Sequence, residues 1–350
     1  MNSLTLPGLI DPHVHLRDPG QTEKEDFLTG SQAALAGGFT TILDMPNNSI
    51  PITKKQLLDK KIQDAMGKTL CDVGFYFGTL GDNTDEFDSI AHQVHGLKVY
   101  LNETTGNFQI DKEKLITIYQ AWPEHGGPIL LHAENEAVVF ALEVVEKIKK
   151  PTHFCHIGNA KDLSLIISAK KKNLPITCGV TPHHLFLTID DAKRLGPLGQ
   201  MKPPLYTNED KTFLWKQIKN IDVIESDHAP HTIAEKQRIP SPFGVPGLET
   251  TLPLLITAVR DGKLNQEDIL RLCFTNPSRI FSITSSENTS VDVDITTPYT
   301  IRNSTLYTKC KWSPFDGMAV IGKVIKARIR GTTVFENGSF LVPPGWGWTV

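Results

Sequence analysis

Two histidines near the N-terminus have the spacing of a metal-binding pair. His13 and His15 lie at the end of a short apolar run, residues 9–14, that is typical of a β-strand. Alternate residues of a strand point to the same side, so both imidazoles can face one metal ion. An isolated pair of this kind is common by chance, and the hypothesis of a metal site therefore depends on further ligands.

Further candidate ligands lie within or at the ends of later strand-like runs. They are Lys98, His132, His156 and Asp227. Each has an ordinary alternative role, since single buried histidines are commonly hydrogen-bonded core residues and an aspartate at a strand end often caps a helix. Chance rarely brings all of them to the same end of one sheet. The joint set of imidazole and carboxylate ligands favours a catalytic zinc site.

Lys98 differs from the other candidates because it lies within an apolar strand-like run. Burying an ammonium group is costly, so burial favours the neutral amine. A neutral amine can add carbon dioxide and become a carbamate, which is an anion able to bridge two metal ions. The alternative is a lysine paired with Glu103 or Asp227. We expect the carbamate, and two bridged metal ions could hold a hydroxide nucleophile and polarise a carbonyl group.

Strand-like and helix-like segments alternate through most of the chain. Predicted strands cover residues 9–14, 40–45, 71–77, 97–101, 129–131, 152–155, 176–180 and 223–225, and predicted helices cover 27–35, 54–65, 112–119, 135–148, 160–171 and 208–217. This alternation predicts an α/β protein with a parallel sheet, and eight such strands fit a (β/α)8 TIM-type barrel. A doubly wound open sheet is the main alternative. In a barrel, the candidate ligands would gather at the C-terminal ends of the strands.

The last part of the chain has a different pattern. Helices are predicted at residues 248–259, 266–273 and 277–281, and hydrophobic residues then alternate with period two at 290–295 and 323–329. This alternation is typical of antiparallel strands. We therefore predict a barrel domain at residues 7–285 and a small accessory β module formed by residues 286–350 together with residues 1–6.

Composition restricts the class of protein. The 350 residues are 39% hydrophobic with a formal net charge of −3, which argues against a nucleic-acid or polybasic membrane surface and favours a small-molecule substrate. The five cysteines lack regular spacing, which argues against a disulfide framework and for a reducing compartment. We recognise neither a signal peptide nor a run of about 20 apolar residues, so we expect a cytoplasmic protein.

Four motifs together resemble the dihydroorotases of the amidohydrolase superfamily. They are residues 7–17 (PGLIDPHVHLR), 45–47 (MPN), 96–104 (GLKVYLNET) and 226–231 (SDHAPH). Residues 181–187 (TPHHLFL), 246–250 (PGLET) and 342–345 (VPPG) are most similar to the dihydroorotase domain of the animal multifunctional pyrimidine-synthesis proteins. The similarity covers essentially the whole chain. It implies the reversible cyclisation of N-carbamoyl-L-aspartate to L-dihydroorotate in pyrimidine biosynthesis.

The resemblance also implies a role for each metal ligand. One zinc ion would be bound by His13, His15, Asp227 and N6-carboxylated Lys98, and a second by Lys98, His132 and His156. Asp227 would also be the catalytic acid and base that moves a proton between the bridging hydroxide and the ring nitrogen. The resemblance implies a homodimer. It leaves open whether the chain is a free-standing enzyme or a domain of a multifunctional chain with carbamoyl-phosphate synthetase and aspartate transcarbamoylase. The short stretch before Pro7 favours the excised or animal-like form.

The residues expected to contact the substrate are Arg17, Asn47, Thr104, Lys202, His231 and Gly244. A guanidinium suits bidentate binding of the substrate carboxylate, but Arg17 could instead pair with Asp18 or Asp26. His231 could cap the following helix, and Asn47 could be a turn residue. Thr104 lies in a loop that closes over the substrate in members of the family. The alternative is that this loop is an ordinary solvated connection.

The chain departs from the family pattern at three positions. Animal relatives bind a third zinc ion through a cysteine and a glutamate. Cys155 is present, but Gly179 stands where the glutamate is expected, which argues against a third zinc ion. Lys202 replaces an arginine and lacks its planar fork, and Thr105 replaces a phenylalanine of the lid.

Two other functions stay open at this level. One is another cyclic-amide hydrolase, of the dihydropyrimidinase or allantoinase type, which would share the metal ligands but would not need a carboxylate-binding arginine. The other is a non-catalytic dihydroorotase-like domain retained for assembly. The presence of every expected metal ligand and of Arg17 favours the dihydroorotase.

Overall fold

A computed structural model describes residues 3–102, 110–284 and 286–350 of the chain. The strands of this part are β1 (Ser3–Pro7), β2 (Leu9–Val14), β3 (Phe39–Asp44), β4 (Asp72–Phe75), β5 (Phe77–Gly78), β6 (Leu97–Tyr100), β7 (Ile129–His132), β8 (Thr152–Phe154), β9 (Ile176–Val180), β10 (Val223–Ile224), β11 (Ser290–Asp294), β12 (Tyr299–Thr300), β13 (Ala319–Val320), β14 (Lys323–Ile329), β15 (Thr332–Glu336) and β16 (Ser339–Phe340). The α-helices are α1 (Phe27–Ala36), α2 (Lys55–Met66), α3 (Phe87–Ile90), α4 (Lys112–Ala121), α5 (Glu136–Ile148), α6 (Ala160–Lys171), α7 (Pro182–Phe186), α8 (Ile189–Leu195), α9 (Asn208–Lys216), α10 (Ile233–Lys236), α11 (Leu248–Arg260), α12 (Gln266–Leu270) and α13 (Asn276–Ile280).

Parallel strands form a closed barrel at the centre of the described chain. β2, β3 and β4 pair with one another, and β5 to β10 pair in the order β10-β9-β8-β7-β6-β5. β4 and β5 are two halves of one strand interrupted at Tyr76, so they join the two groups. A parallel bridge between Val14 and His228 joins the outer edges, where the His15 amide donates to the His228 carbonyl at 2.8 Å. The predicted (β/α)8 TIM-type barrel is therefore confirmed, and the open sheet is wrong.

The barrel strands are buried on both faces. Ile10 and Leu43 belong to a compact cluster inside the barrel, whereas their neighbours Leu9 and Ile42 belong to the larger core shared with the surrounding helices. Burial of both faces explains why these strands are continuous apolar runs in the sequence rather than alternating ones. Each predicted strand of the barrel overlaps an observed one.

Several helices begin at residues that cap them through their side chains. Asp26, Asp111 and Asn159 each accept a hydrogen bond at 2.8 Å from the backbone amide three residues further along. Such caps satisfy amide groups that the first turn leaves without a partner. No helix in the described part of the chain has both the length and the apolar character needed to cross a bilayer.

One helical region differs from the prediction. Residues 266–273 and 277–281 were expected to form separate helices, but α12 continues through a π-helical turn, Arg271–Thr275, directly into α13. Pro277 lacks an amide hydrogen, and a π turn lets the helix continue beside that missing hydrogen bond.

Both ends of the described chain meet in one antiparallel sheet. Its strand order is β1-β11-β14-β15-β16, and Ser3 pairs with Asp294 while Pro7 pairs with Ser290. Val291 on β11 packs into the same core as the barrel strands and helices. Because this core is continuous between the sheet and the barrel, the division into domains at residues 7–285 and 286–350 stays a prediction.

Candidate metal centre

The predicted metal ligands meet in one pocket at the C-terminal ends of the barrel strands. The pocket is lined by His13, His15, Lys98, His132, His156 and Asp227, together with Arg17, Asn47, Tyr100, Lys202, Ala229, Phe243 and Gly244. All six predicted ligands are buried. Closure of the barrel thus brings together side chains from five separate strand ends.

One group of ligands surrounds the carboxylate of Asp227. Its Oδ1 lies 3.3 Å from His13 Nε2 and 3.1 Å from His15 Nε2. Two ligand atoms of one tetrahedral zinc ion lie roughly 3.3 Å apart. The other nitrogen of each ring is held by a neighbour, since His13 Nδ1 is 2.8 Å from Glu225 Oε2 and His15 Nδ1 is 2.6 Å from Asn47 Oδ1. Acceptors of this kind orient metal-binding histidines.

A second group lies beside the first. His132 Nδ1 is 3.1 Å from His156 Nε2, and the rings of His13 and His156 are 5.1 Å apart at their centroids. His132 Nε2 is 3.2 Å from Glu134 Oε1, which leaves its Nδ1 available as a ligand. Two neutral imidazole nitrogens that face each other at this distance fit two ligands of one metal ion.

Lys98 is buried beside a thiol and an aromatic ring. It is fully buried, its Nζ lies 3.2 Å from Cys155 Sγ, and it stands 5.0 Å from the centre of the Tyr100 ring. Within the described residues, no salt bridge joins Lys98 to Asp227 or to any other carboxylate. The alternative partner Glu103 lies outside the described residues.

Electrostatics in the pocket favour metal binding by neutral imidazoles. Burial lowers the pKa of His13 to about 4, and it lowers the pKa of His15, His132 and His156 as well. Burial raises the pKa of the Asp227 carboxyl group. A metal ion needs neutral imidazoles and would stabilise the ionised carboxylate. The donor set therefore fits a metal centre.

Arg17 is a buried cation that faces the pocket without an ion pair in the described part of the chain. Its Nε donates to the Pro230 carbonyl at 3.2 Å, and its Nη2 lies 3.3 Å from His231 Nε2. The predicted alternative partners are engaged elsewhere, since Asp18 pairs with Lys68 and Asp26 with Lys309, each at 2.7 Å. Arg17 also has a φ of 64°, in the left-handed region. Such strain is commonly retained at functional sites.

The other predicted substrate residues differ in position. Lys202 and Gly244 line the pocket. Asn47 also lines it, but its Oδ1 contacts His15. His231 lies behind Arg17, with Nε2 3.0 Å from the Phe243 carbonyl, and Thr232 rather than His231 caps the following helix, α10. Thr104, Thr105 and the rest of the predicted lid at 103–107 lie outside the described residues.

Two carboxylates that contact the ligands received no role from the sequence. Glu225 contacts His13, and Glu134 contacts His132. Each lies two residues from a predicted ligand, so its side chain is expected on the same side of an extended segment. The spacing could have predicted that both carboxylates point to the same side as the ligands, but it could not predict which histidine each one contacts.

A parallel barrel with this cluster at its C-terminal mouth has the donor set of a candidate metal site. The family model described as the amidohydrolase family matches residues 4–285. The chain belongs to the amidohydrolase family. It is 42% identical over 349 residues to the multifunctional protein CAD of Squalus acanthias, covering 99% of this chain and 16% of that protein. It is 38% identical over 360 residues to the dihydroorotase of Pyrococcus furiosus, covering 97% of this chain and 83% of that protein.

Solved structures agree with this assignment. The L-hydantoinase (dihydropyrimidinase) of Arthrobacter aurescens has a TM-score of 0.94 at 26% identity and covers 99% of this chain and 88% of its own. The inactive dihydroorotase-like domain of a Chaetomium thermophilum CAD-like multifunctional protein has a TM-score of 0.85 at 25% identity. The match covers 100% of this chain and 99% of that domain. The resemblance to dihydroorotases is confirmed, although the chain spans only 16% of the length of the multifunctional relative.

Proposed function

We propose that this chain is a zinc-dependent dihydroorotase that interconverts N-carbamoyl-L-aspartate and L-dihydroorotate in pyrimidine biosynthesis. The observation that carries the proposal is Arg17, a buried guanidinium that reaches the metal pocket without a carboxylate partner in the described residues. A buried cation is costly unless it is paired. An acidic substrate would supply the missing charge at the site where the amide bond is broken or formed.

The metal ligands of the proposal fit two zinc ions. The ligands would be His13, His15 and Asp227 for one ion and His132 and His156 for the other, with N6-carboxylated Lys98 between them. Zinc ions in such a site polarise an amide carbonyl and supply hydroxide at neutral pH. A third zinc ion is not part of the proposal. Gly179 supplies no carboxylate, and the Glu225 carboxylate that lies near Cys155 is already in contact with His13 and the His156 amide.

Asp227 is the proposed acid and base. Its carboxylate lies beside His13 and His15 at the pocket wall, where it can both accept a proton and return it. Its φ of 45° aims the side chain from a strained strand end into the pocket. In ring opening it would deliver a proton to the departing ring nitrogen, and in ring closure it would remove one.

The substrate carboxylate would lie against Arg17. Lys202 adds a second positive charge to the pocket wall, and the backbone of Gly244 lines the same wall. Asn47 and His231 would act on this site through His15 and Arg17, whose side chains they contact. Thr104 of the lid completes the proposed substrate contacts.

A second candidate is a hydrolase of uncharged cyclic amides, such as a dihydropyrimidinase or an allantoinase. The TM-score of 0.94 to the L-hydantoinase (dihydropyrimidinase) of Arthrobacter aurescens favours this alternative. Arg17 argues against it, because a neutral ring would leave that buried charge without a carboxylate partner among the described residues. A non-catalytic domain is disfavoured because all six ligands are present here.

The proposal extends to the setting of the enzyme. The 42% identity to a multifunctional protein suggests that the domain works within a chain that also carries carbamoyl-phosphate synthetase and aspartate transcarbamoylase. A homodimer and a cytoplasmic location complete the proposal.

The test is hydrolysis of L-dihydroorotate by the purified, zinc-loaded protein, with dihydrouracil and allantoin as competing substrates and zinc content measured in parallel. We expect two zinc ions and turnover of dihydroorotate alone. Turnover of a neutral ring instead would support the second candidate.

The bridging carbamate has its own test. Lys98→Ala should lose both zinc ions, and intact-protein mass spectrometry of the wild type should show the added mass of one carbon dioxide. The exposed Lys147→Ala serves as a control. Activity of the wild type that survives complete removal of bicarbonate would contradict the carbamate.

A further inference from the structure

Glu225 is a buried carboxylate to which the proposed reaction assigns no step. It follows β10 directly and is 1% exposed. Its Oε2 lies 2.8 Å from His13 Nδ1, and its Oε1 accepts a hydrogen bond from the His156 backbone amide. One side chain therefore contacts a ligand from each of the two proposed zinc sites.

The contact with His13 fixes the tautomer of that ring. A carboxylate beside Nδ1 keeps the ring proton on Nδ1, so the Nε2 lone pair is directed toward Asp227, 3.3 Å away. A carboxylate in this position also raises the basicity of the ligand nitrogen.

The contact with His156 supports a strained backbone. His156 has a φ of 37°, in the left-handed region that is unfavourable for a residue with a Cβ atom. Such a conformation persists only where neighbouring groups hold it. The hydrogen bond from the His156 amide to Glu225 is a contact of this kind, and it lies at the point where the imidazole must be aimed.

Gly179 provides the space that the Glu225 carboxylate occupies. β9 and β10 are parallel neighbours, with Val223 paired to Gly179. A Cβ atom at residue 179 would lie 2.0 Å from Glu225 Oε1 and 2.5 Å from its Cδ. Gly179 is absent from the glycines with positive φ, so its backbone conformation does not require glycine. A Cβ atom at this position would therefore displace the carboxylate of Glu225.

We infer that Glu225 is a positioning residue of the metal centre and that Gly179 is required to admit it. The inference rests on the proposed zinc centre. Glu225 orients His13 and His156 together, so that one nitrogen of each ring faces a metal ion. A carboxylate with a purely structural role would stabilise the fold without changing zinc affinity, and this difference makes the inference testable.

The experiment measures zinc affinity by chelator competition and the visible absorption of the cobalt-substituted protein. Glu225→Gln keeps the shape of the side chain but cannot accept both hydrogen bonds as a carboxylate does. We expect zinc affinity to fall by 10- to 100-fold, the cobalt spectrum to change, and kcat/KM to recover as free zinc is raised. Gly179→Ala should reproduce these effects because it displaces the carboxylate.

Matched controls separate these effects from general damage. Glu249→Gln neutralises another buried carboxylate, whose partners are the amides of Tyr307 and Thr308. Gly67→Ala adds a methyl group where nothing lies within 4 Å. Both controls should bind zinc as the wild type does.

A double variant keeps the inference testable if Gly179→Ala folds poorly. Gly179→Ala should lower the melting temperature of the metal-free wild type but not of Glu225→Ala, because the second background has no carboxylate to clash with the new methyl group. Equal losses in both backgrounds would contradict the steric pairing.

The outcomes distinguish the inference from the proposed function. Wild-type zinc affinity and an unchanged cobalt spectrum in both Glu225→Gln and Gly179→Ala would overturn the inference while the zinc centre stands. A wild-type protein that binds no zinc would overturn the centre and the inference together.

Discussion

Replacement of Arg17 by methionine should remove the preference for an acidic substrate. Arg17 is 5% exposed and reaches the metal pocket, so its bonds to a substrate carboxylate would form away from bulk water. A charge-assisted hydrogen bond contributes about 1.5 to 3 kcal/mol. The pair that a guanidinium makes with a carboxylate is therefore expected to contribute about 3 to 4 kcal/mol, since the two bonds share one charge.

The loss should appear in one substrate and not in another. About 3 to 4 kcal/mol corresponds to a decrease in kcat/KM of roughly 150- to 900-fold for dihydroorotate. Dihydrouracil has the same ring without the carboxylate, so any slow turnover of it should be unchanged in Arg17→Met. The kcat/KM of Arg17→Lys for dihydroorotate should lie between those of the wild type and Arg17→Met, because lysine keeps the charge but loses the planar fork.

The assay follows both substrates with zinc content measured for each variant. Lys309→Met is a matched control, because it removes a surface cation that pairs with Asp26 at 2.7 Å and should leave both activities unchanged. An equal decrease for dihydroorotate and dihydrouracil, with full zinc content, would refute the role of Arg17 in carboxylate binding.

Three further predictions concern buried charges outside the metal cluster. Burial raises the pKa of Glu249 from 4.5 to about 7. Between pH 4.5 and pH 7 the unfolded chain has lost the proton that the folded chain keeps. The free energy of unfolding therefore falls as pH rises, by up to about 3 kcal/mol. Glu249→Gln should therefore gain melting temperature relative to wild type between pH 5 and pH 8, and a constant difference would contradict this. Lys61→Met removes the partner of the buried Asp44, which lies 2.8 Å from Lys61 Nζ. The free energy of unfolding, measured in urea, should fall by about 3 to 5 kcal/mol. A decrease below about 1 kcal/mol would show that Asp44 does not need the ion pair. Lys236 Nζ donates to the carbonyls of Gln200, Pro242 and Gly244. Lys236→Met should therefore loosen two pocket loops and raise KM for dihydroorotate on the order of tenfold. Unchanged steady-state kinetics would show that these hydrogen bonds do not position the pocket.

Local patterns in the sequence determined the elements and the chemical types of the ligands. A strand that is buried on both faces needs a continuous apolar run, and eight such runs separated by helical segments allow few arrangements other than a closed parallel barrel. His13, His15 and Asp227 could therefore be assigned to one mouth before their distances were known. The continuous helix across Pro277 was missed because a proline between two helical patterns ordinarily marks a boundary.

Only the tertiary structure decided which neighbours hold those ligands. Glu225 and His13 are 212 positions apart in the chain, and their contact exists because the barrel closes. Within the described residues, the lack of an ion pair for Arg17 depends in the same way on where Asp18 and Asp26 find other partners. Gly179 looked like the loss of a metal ligand in the sequence, but in the fold it is the space for a carboxylate from the next strand. The sequence thus determined which groups reach the pocket, whereas their orientation, pairing and protonation follow from packing between distant segments.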